Sequence, residues 1–296
     1  MQPAIEKYSS VTRKARTRRR PWLLVVAALA VLGGIFRTPL KHGAYVTARA
    51  AAITEAHLKL AGWPMLKTAH FWVYYRPGQK SQAKLVLKAL QQALPFEESN
   101  LNESLHHPLS VALYPTALSM NRAVGEPGSA DNIGYEYDGI IDILSPSAWL
   151  GSNSASIRAF LKQGPAAHEL GHALLDLKAD MNYPHWFNEG VAQYLDYRVT
   201  GYQWLTPSNA LTGPLYSMAQ LNNNFYSLAN QSRAYREGLG LVEYLETVHG
   251  HNAFTRFLNQ LAQGTSFSQA LSRDYHFSTE NALFQAWQSS LTQGAA

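Results

Sequence analysis

The sequence predicts an α+β fold preceded by an N-terminal membrane segment. Three observations carry this. Strand-like runs are gathered between His70 and Leu144, helical periodicity takes over from Ser154 to the C-terminus, and no repeated β–α alternation of a doubly wound sheet occurs. Strands first and helices afterwards is the pattern of segregated layers.

From the N-terminus, residues 1–20 form a basic tail. Six of the 25 Lys and Arg residues (Arg13, Lys14, Arg16, Arg18, Arg19 and Arg20) lie in the eight-residue run 13–20, leaving 19 basic residues against 20 acidic ones outside that run. The positive charge therefore belongs to the tail. A nucleic-acid-binding surface needs basic charge spread over the folded body, so that class is excluded as a partner. Residues 21–37 contain WLLVVAALAVLGGIF (Trp22 to Phe36), an uncharged stretch closed by Arg37 and Pro39. It is short for a span of roughly 20 residues, but the Arg-rich flank marks it as a signal anchor or, with a cleavage site, a signal peptide. An anchor is expected. The positive-inside rule leaves the tail cytoplasmic and translocates the rest, which makes the protein single-pass, with an extracytoplasmic domain, in a bacterial inner membrane. Cysteine is absent, so neither disulfides nor thiolate chemistry enter.

Residues 38–65 are Ala-rich and read as a helical stalk or linker, and residues 66–296 as the folded domain. His70 to Tyr75 (HFWVYY) is a strand ending at Pro77-Gly78, Lys80 to Leu94 a helix with leucines at helical spacing, and Leu109 to Tyr114 (LSVALY) a second strand. Gly125 to Asp138 reads as a loop. Its Asp131, Asn132 and Asp138 match no calcium-loop spacing and are turn formers. Gly139 to Leu144 (GIIDIL) is a third strand. Phosphate-binding glycine loops, G-x-S-x-G elbows and internal repeats are all missing.

Pro165 to Lys178 reads PAAHELGHALLDLK, with Pro at the helix start. His168 and His172 are one helical turn apart and project from one face, so both imidazoles can reach one zinc ion, with Glu169 beside them as a general base. A catalytic zinc needs a third protein ligand and an open position. Glu189, near the start of the next helical stretch (WFNEGVAQYLD, Trp186 to Asp196), can supply it. His185 and the pair His106-His107 read as loop residues, since a fourth protein ligand would close the site.

These two stretches, HELGH and NEGVAQY (Asn188 to Tyr194), resemble the gluzincin metallopeptidases, in which HExxH is followed by a helix carrying N-E-G-x-A-x-Y. The resemblance implies a zincin-like domain with a small sheet lobe and a helical C-terminal lobe, a Zn2+ cofactor on His168, His172 and Glu189, and a peptide or protein substrate. It further implies that Asp196 hydrogen-bonds the second zinc histidine. Tyr235, in Y-x-x-G (Tyr235 to Gly238), corresponds to the tyrosine that stabilises the oxyanion, although Glu237 stands where that family segment has lysine. No G-x-M-E-N aminopeptidase motif is present, so endopeptidase action is expected, with Gly139 to Leu144 as the substrate-binding edge. The alternative is a catalytically silent zincin-fold binding module tethered to the membrane, which would not require a base beside an open metal.

Overall fold

The computed structural model describes residues 37–125, 132–137, 139–151 and 153–293. The apolar stretch Trp22 to Phe36 lies outside them, as do Asp131 and Asp138. Among the described residues no helix is long and apolar enough to cross a membrane.

Helix α1 (Arg37–Lys59) leads into β1 (Met65–Lys67), β2 (Phe71–Tyr75), α2 (Lys80–Leu101), β3 (Leu109–Tyr114), α3 (Ala117–Val124), β4 (Gly134–Tyr137) and β5 (Ile140–Leu144). The sheet has the order β1-β2-β3-β5-β4. Its centre is parallel (β2 with β3, β3 with β5), and both outer strands pair antiparallel. A parallel pair cannot close through a tight turn, and α2 is the crossover that joins β2 to β3. The fold is α+β as expected, with two helices, α2 and α3, interleaved among the strands.

Two expectations are corrected here. Gly125 to Asp138 is not loop throughout, because Gly134–Tyr137 pairs with β5 as strand β4. Consequently Gly139 to Leu144 is no edge: β5 is hydrogen-bonded on both sides, and its residues are all buried. The outer strand on this side of the sheet, among the described residues, is β4.

Helix α2 also runs past Pro95, where the sequence suggested a stop. Proline in a helix forfeits one hydrogen bond. Beyond it, burial of Leu101 and the bond that Asn100 Nδ2 donates to Glu246 at 3.1 Å offset that loss.

The remaining helices are α4 (Pro146–Trp149), α5 (Ser154–Gln163), α6 (Ala166–Ala179), α7 (His185–Thr200), α8 (Met218–Asn224), α9 (Gln231–Val248), α10 (His251–Ala262), α11 (Phe267–Tyr275) and α12 (Glu280–Gln293). Side-chain caps fix several starts: Asn153 for α5, Ser217 with Gln220 for α8, and Asn230 for α9. Trp186 and Phe187, both fully buried at the start of α7, pack edge-on against Phe267, and Phe187 also meets Phe254 and Phe257. This aromatic cluster anchors the helix that carries Glu189 to the C-terminal lobe.

Helix α1 behaves as part of the domain rather than as a free stalk. His57 Nε2 lies 2.8 Å from Ser110 Oγ on β3. Tyr45 donates to Asp176 on α6 at 3.3 Å, and the Arg49 guanidinium lies against Gly139.

Candidate metal centre

Helices α6 and α7 cross closely because small residues face each other. A Cβ on Gly171, the fourth residue of HELGH, would lie 3.3 Å from Ala192 Cα. The close crossing brings Glu189 onto the His168/His172 face of α6. His168 Nε2 is 3.0 Å from His172 Nε2, and Glu189 Oε2 is 3.3 and 3.4 Å from the two imidazole nitrogens. Three donors bound tetrahedrally at about 2.0–2.2 Å stand roughly 3.3 Å apart, so this triangle has the edges of one face of a zinc site. Among the described residues this is the one group of three or more such side chains close enough to hold an ion.

The electrostatics agree with the donor set. Glu189 Oε2 is buried and has no hydrogen-bond partner, a cost that a cation would remove. Burial opposes ionisation of Glu189, yet the neighbouring imidazoles hold its pKa well below the usual carboxylate range. Burial alone would lower the His172 pKa, but Glu189 and Glu169 outweigh it and raise it to about 10. The site calls for positive charge, and the residues present fit Zn2+.

His172 Nδ1 lies 2.8 Å from Asn188 Oδ1. With that nitrogen donating to the amide oxygen, the Nε2 lone pair is left for a metal. The second zinc histidine is therefore oriented by Asn188 and not by Asp196, which corrects the expectation above. The reason is axial: Asp196 sits two turns beyond Glu189, about 10 Å along α7. Asp196 instead acts electrostatically on His168; its pKa is raised to about 7 by burial and the Glu169 charge, with His168 opposing, and its Oδ1 is buried without a partner.

Glu169 is buried at the cleft floor beneath β4. A Cβ on Gly134 would lie 2.7 Å from Glu169 Oε1 and 2.8 Å from Pro165 Cβ, so only glycine lets the edge strand approach the helix here. Strand alternation places Glu136 on the same face, where its carboxylate accepts the Gly139 N–H at 2.7 Å. Tyr235, half-buried near the start of α9, lines the cleft and packs edge-on to Phe225. His185 opens α7 at the cleft mouth, against the ring of Tyr226.

Tyr226 is the residue that sequence reasoning missed. Its hydroxyl donates to Glu189 Oε1 at 2.7 Å, which occupies that oxygen and leaves Oε2 to the histidine triangle. It lies in a single 3-10 turn (Phe225–Ser227) with no periodicity to announce it.

Residues 91–293 match the family model described as the peptidase MA superfamily. No curated protein matches the chain significantly. Among solved structures, aminopeptidase A of Legionella pneumophila, in complex with aspartic acid, is similar at a TM-score of 0.51 and 13% identity, covering 76% of this chain and 28% of that one. The M1 zinc metallopeptidase of Deinococcus radiodurans covers 76% of this chain and 50% of its own, with 16% identity and a TM-score of 0.37. The first likeness shows the fold, and the chain spans only a quarter to a half of the length of these proteins. Since the family match extends over more than half of the sequence and includes both helices of the donor triangle, the chain belongs to the peptidase MA superfamily.

Proposed function

We propose that this protein hydrolyses internal peptide bonds of peptides or proteins outside the cytoplasm. The observation that carries the reading is the His168–His172–Glu189 triangle, with Glu169 beside it, on the floor of a cleft of about 480 Å3. Zinc, when bound there, supplies Lewis acidity that activates water and polarises a carbonyl. Glu169 takes the proton of the attacking water and delivers it to the leaving amine. Tyr235 donates a hydrogen bond to the oxygen on which charge develops. The outer edge of β4, which walls the cleft, offers main-chain groups to an extended substrate.

Two features support an endopeptidase. No Lys or Arg is among the described residues lining the cleft, so no side-chain cation is offered to a terminal carboxylate. On the other side, the Glu136 carboxylate is engaged by the Gly139 N–H, with the Arg49 charge close by, rather than left for a substrate ammonium.

The extracytoplasmic placement rests on the Arg-rich tail and the apolar stretch after it. Tyr45, which touches Asp176 on the cleft wall, is eight residues beyond Arg37, at most about 12 Å along α1. A cleft tethered so closely would work near the membrane surface.

The test is cleavage of a peptide pool acetylated and amidated at its ends, with zinc content measured on the same preparation. Chelator-sensitive internal cleavage is expected. Cleavage only of peptides with a free terminus would sink the endopeptidase reading. Stoichiometric zinc without any cleavage would favour the silent binding module.

A further inference from the structure

The turn between α6 and α7 breaks a local rule. Asn182 N–H donates to Ala179 O at 2.8 Å, and the two central residues have positive φ, 48° at Asp180 and 57° at Met181. That is the backbone of a type I′ turn, whose second central position belongs to Gly or Asn because a Cβ there crowds the following carbonyl. Asp tolerates this conformation through its short polar side chain, but methionine has no such means.

The fold gains little from the methionine in return. Met181 is 52% exposed, so its side chain contributes little to the core. The turn is instead held by its neighbours. Asn182 Nδ2 donates to Leu261 O at 3.0 Å and Thr265 O at 2.8 Å, and the Tyr183 hydroxyl donates to Asp176. These bonds fix the strained backbone whatever residue stands at 181. What they aim is the Met181 side chain, which lines the same cleft as the donor triangle. Strain without a packing return, at the rim of a reactive site, points to a ligand.

We propose that Met181 determines substrate specificity: its flexible thioether chain forms an apolar wall that receives a large apolar side chain of the bound peptide. The proposal rests on the peptidase reading above. The rest of the cleft suits such a side chain, with Tyr135, Tyr202, Trp204 and Tyr226 among its lining and no Lys or Arg among the described lining residues. Methionine adapts its shape to aromatic and branched partners alike, so Leu, Phe and Met side chains are all accommodated.

The experiment compares wild type, Met181→Gly and Met181→Leu on capped peptides that differ only in carrying Phe, Leu or Ala next to the scissile bond. Binding of the same peptides is also measured by calorimetry in the zinc-loaded Glu169→Gln background. Met181→Gly should cut the preference for Phe and Leu over Ala by about 10-fold in kcat/KM and in Kd, and Met181→Leu should keep it within about 3-fold. Zinc content stays at the wild-type level, and the Gly variant melts at or slightly above the wild-type temperature, because the turn is relieved.

An unchanged preference in Met181→Gly overturns the proposal. So does an equal loss on all three peptides, or a fall in Tm of more than about 5 °C, since either makes Met181 structural. Selective binding without any cleavage would defeat the hydrolytic reading and leave this one standing.

Discussion

Replacing Gly190 by alanine sets two physical effects against each other. Gly190 lies inside α7, where helix propensity alone predicts a gain of about 1 kcal/mol from the substitution. Packing predicts the opposite. A Cβ at 190 would lie 2.4 Å from Gly238 O, 2.7 Å from Gly238 C and 2.8 Å from Val242 Cγ2. The closest obstacle is backbone, which cannot rotate aside, and it is roughly 1 Å inside van der Waals contact. Helices α7 and α9 must therefore move apart. Such overpacking costs about 3 kcal/mol at its upper range, so the net loss is about 2 kcal/mol, or roughly 4–8 °C in Tm for a domain of this size. Glu189 is the adjacent residue, and a shift of that size breaks a triangle whose edges are 3.0–3.4 Å. Zinc affinity should fall about 10-fold or more. Calorimetric melting of the metal-free domain and competition against a chelator read the two effects separately. Gly171→Ala is the milder comparison, since its obstacles are the Leu195 Cδ1 end of a side chain at 3.2 Å and the Ala192 Cα at 3.3 Å, and it should cost less than Gly190→Ala. If Gly190→Ala melts at or above wild type and holds zinc equally well, the close α7–α9 crossing does not set the site.

Glu169→Gln should keep its zinc while kcat drops by roughly 10²-fold or more; loss of the metal would place Glu169 among the ligands instead. Tyr226→Phe removes the donor on Glu189 Oε1 and should weaken zinc by about 10-fold in a chelator titration, whereas no change would make that contact incidental. Tyr235→Phe should lower kcat by about 10²–10³ with little effect on substrate affinity, and a rate within about 3-fold of wild type, like that of Tyr244→Phe, would remove it from the chemistry. Glu237, buried in α9, has its pKa raised from 4.5 to about 7 by burial, which the Tyr216 N–H and Arg233 only partly offset. A carboxyl whose folded pKa is raised lends stability that is complete below about pH 4.5 and is lost as pH climbs through about 7. The difference is worth about 3 kcal/mol and should vanish in Glu237→Gln, as urea unfolding at pH 5 and pH 8 would show.

The donor set was legible because it obeys helical arithmetic. His168 and His172 share a face by spacing alone, and Glu189 opens the next helix. What the sequence concealed was everything set by tertiary approach. Strand β4 is four residues of Gly, Tyr and Glu, and it becomes a strand only because β5 offers an edge and Gly134 lets it press against Pro165 and Glu169. The run Gly139 to Leu144 looked like an edge because no second partner was visible. Helix α2 continues past Pro95 because Leu101 beyond it is buried and Asn100 bonds to Glu246. Asp196 was linked to the second histidine by offset, but position along a helix axis decides the contact, and Asn188 is the side chain at the right height.

The motifs themselves divide differently once their packing is known. In NEGVAQY a Cβ on Gly190 would lie 2.4 Å from Gly238 O, and in Y-x-x-G a Cβ on Gly238 would lie 2.8 Å from Trp186 O, so both glycines serve the same close approach of α7 and α9. Matching both motifs therefore records one helix crossing twice, and that crossing brings α9 to the cleft whether or not its tyrosine reacts. The presence of Gly238 says nothing about Tyr235, whose ring rests on Phe225. Tyr226, invisible to any motif, holds the other oxygen of the Glu189 carboxylate at 2.7 Å. Two phenols thus face one cleft with separable duties, Tyr226 on Glu189 and, in the mechanism proposed above, Tyr235 on the reacting carbonyl. The separation is measurable because the first duty appears in zinc affinity and the second only in turnover. Should Tyr226→Phe lower kcat at saturating zinc while Tyr235→Phe does not, the oxyanion donor is Tyr226, and the Y-x-x-G segment serves the helix crossing alone.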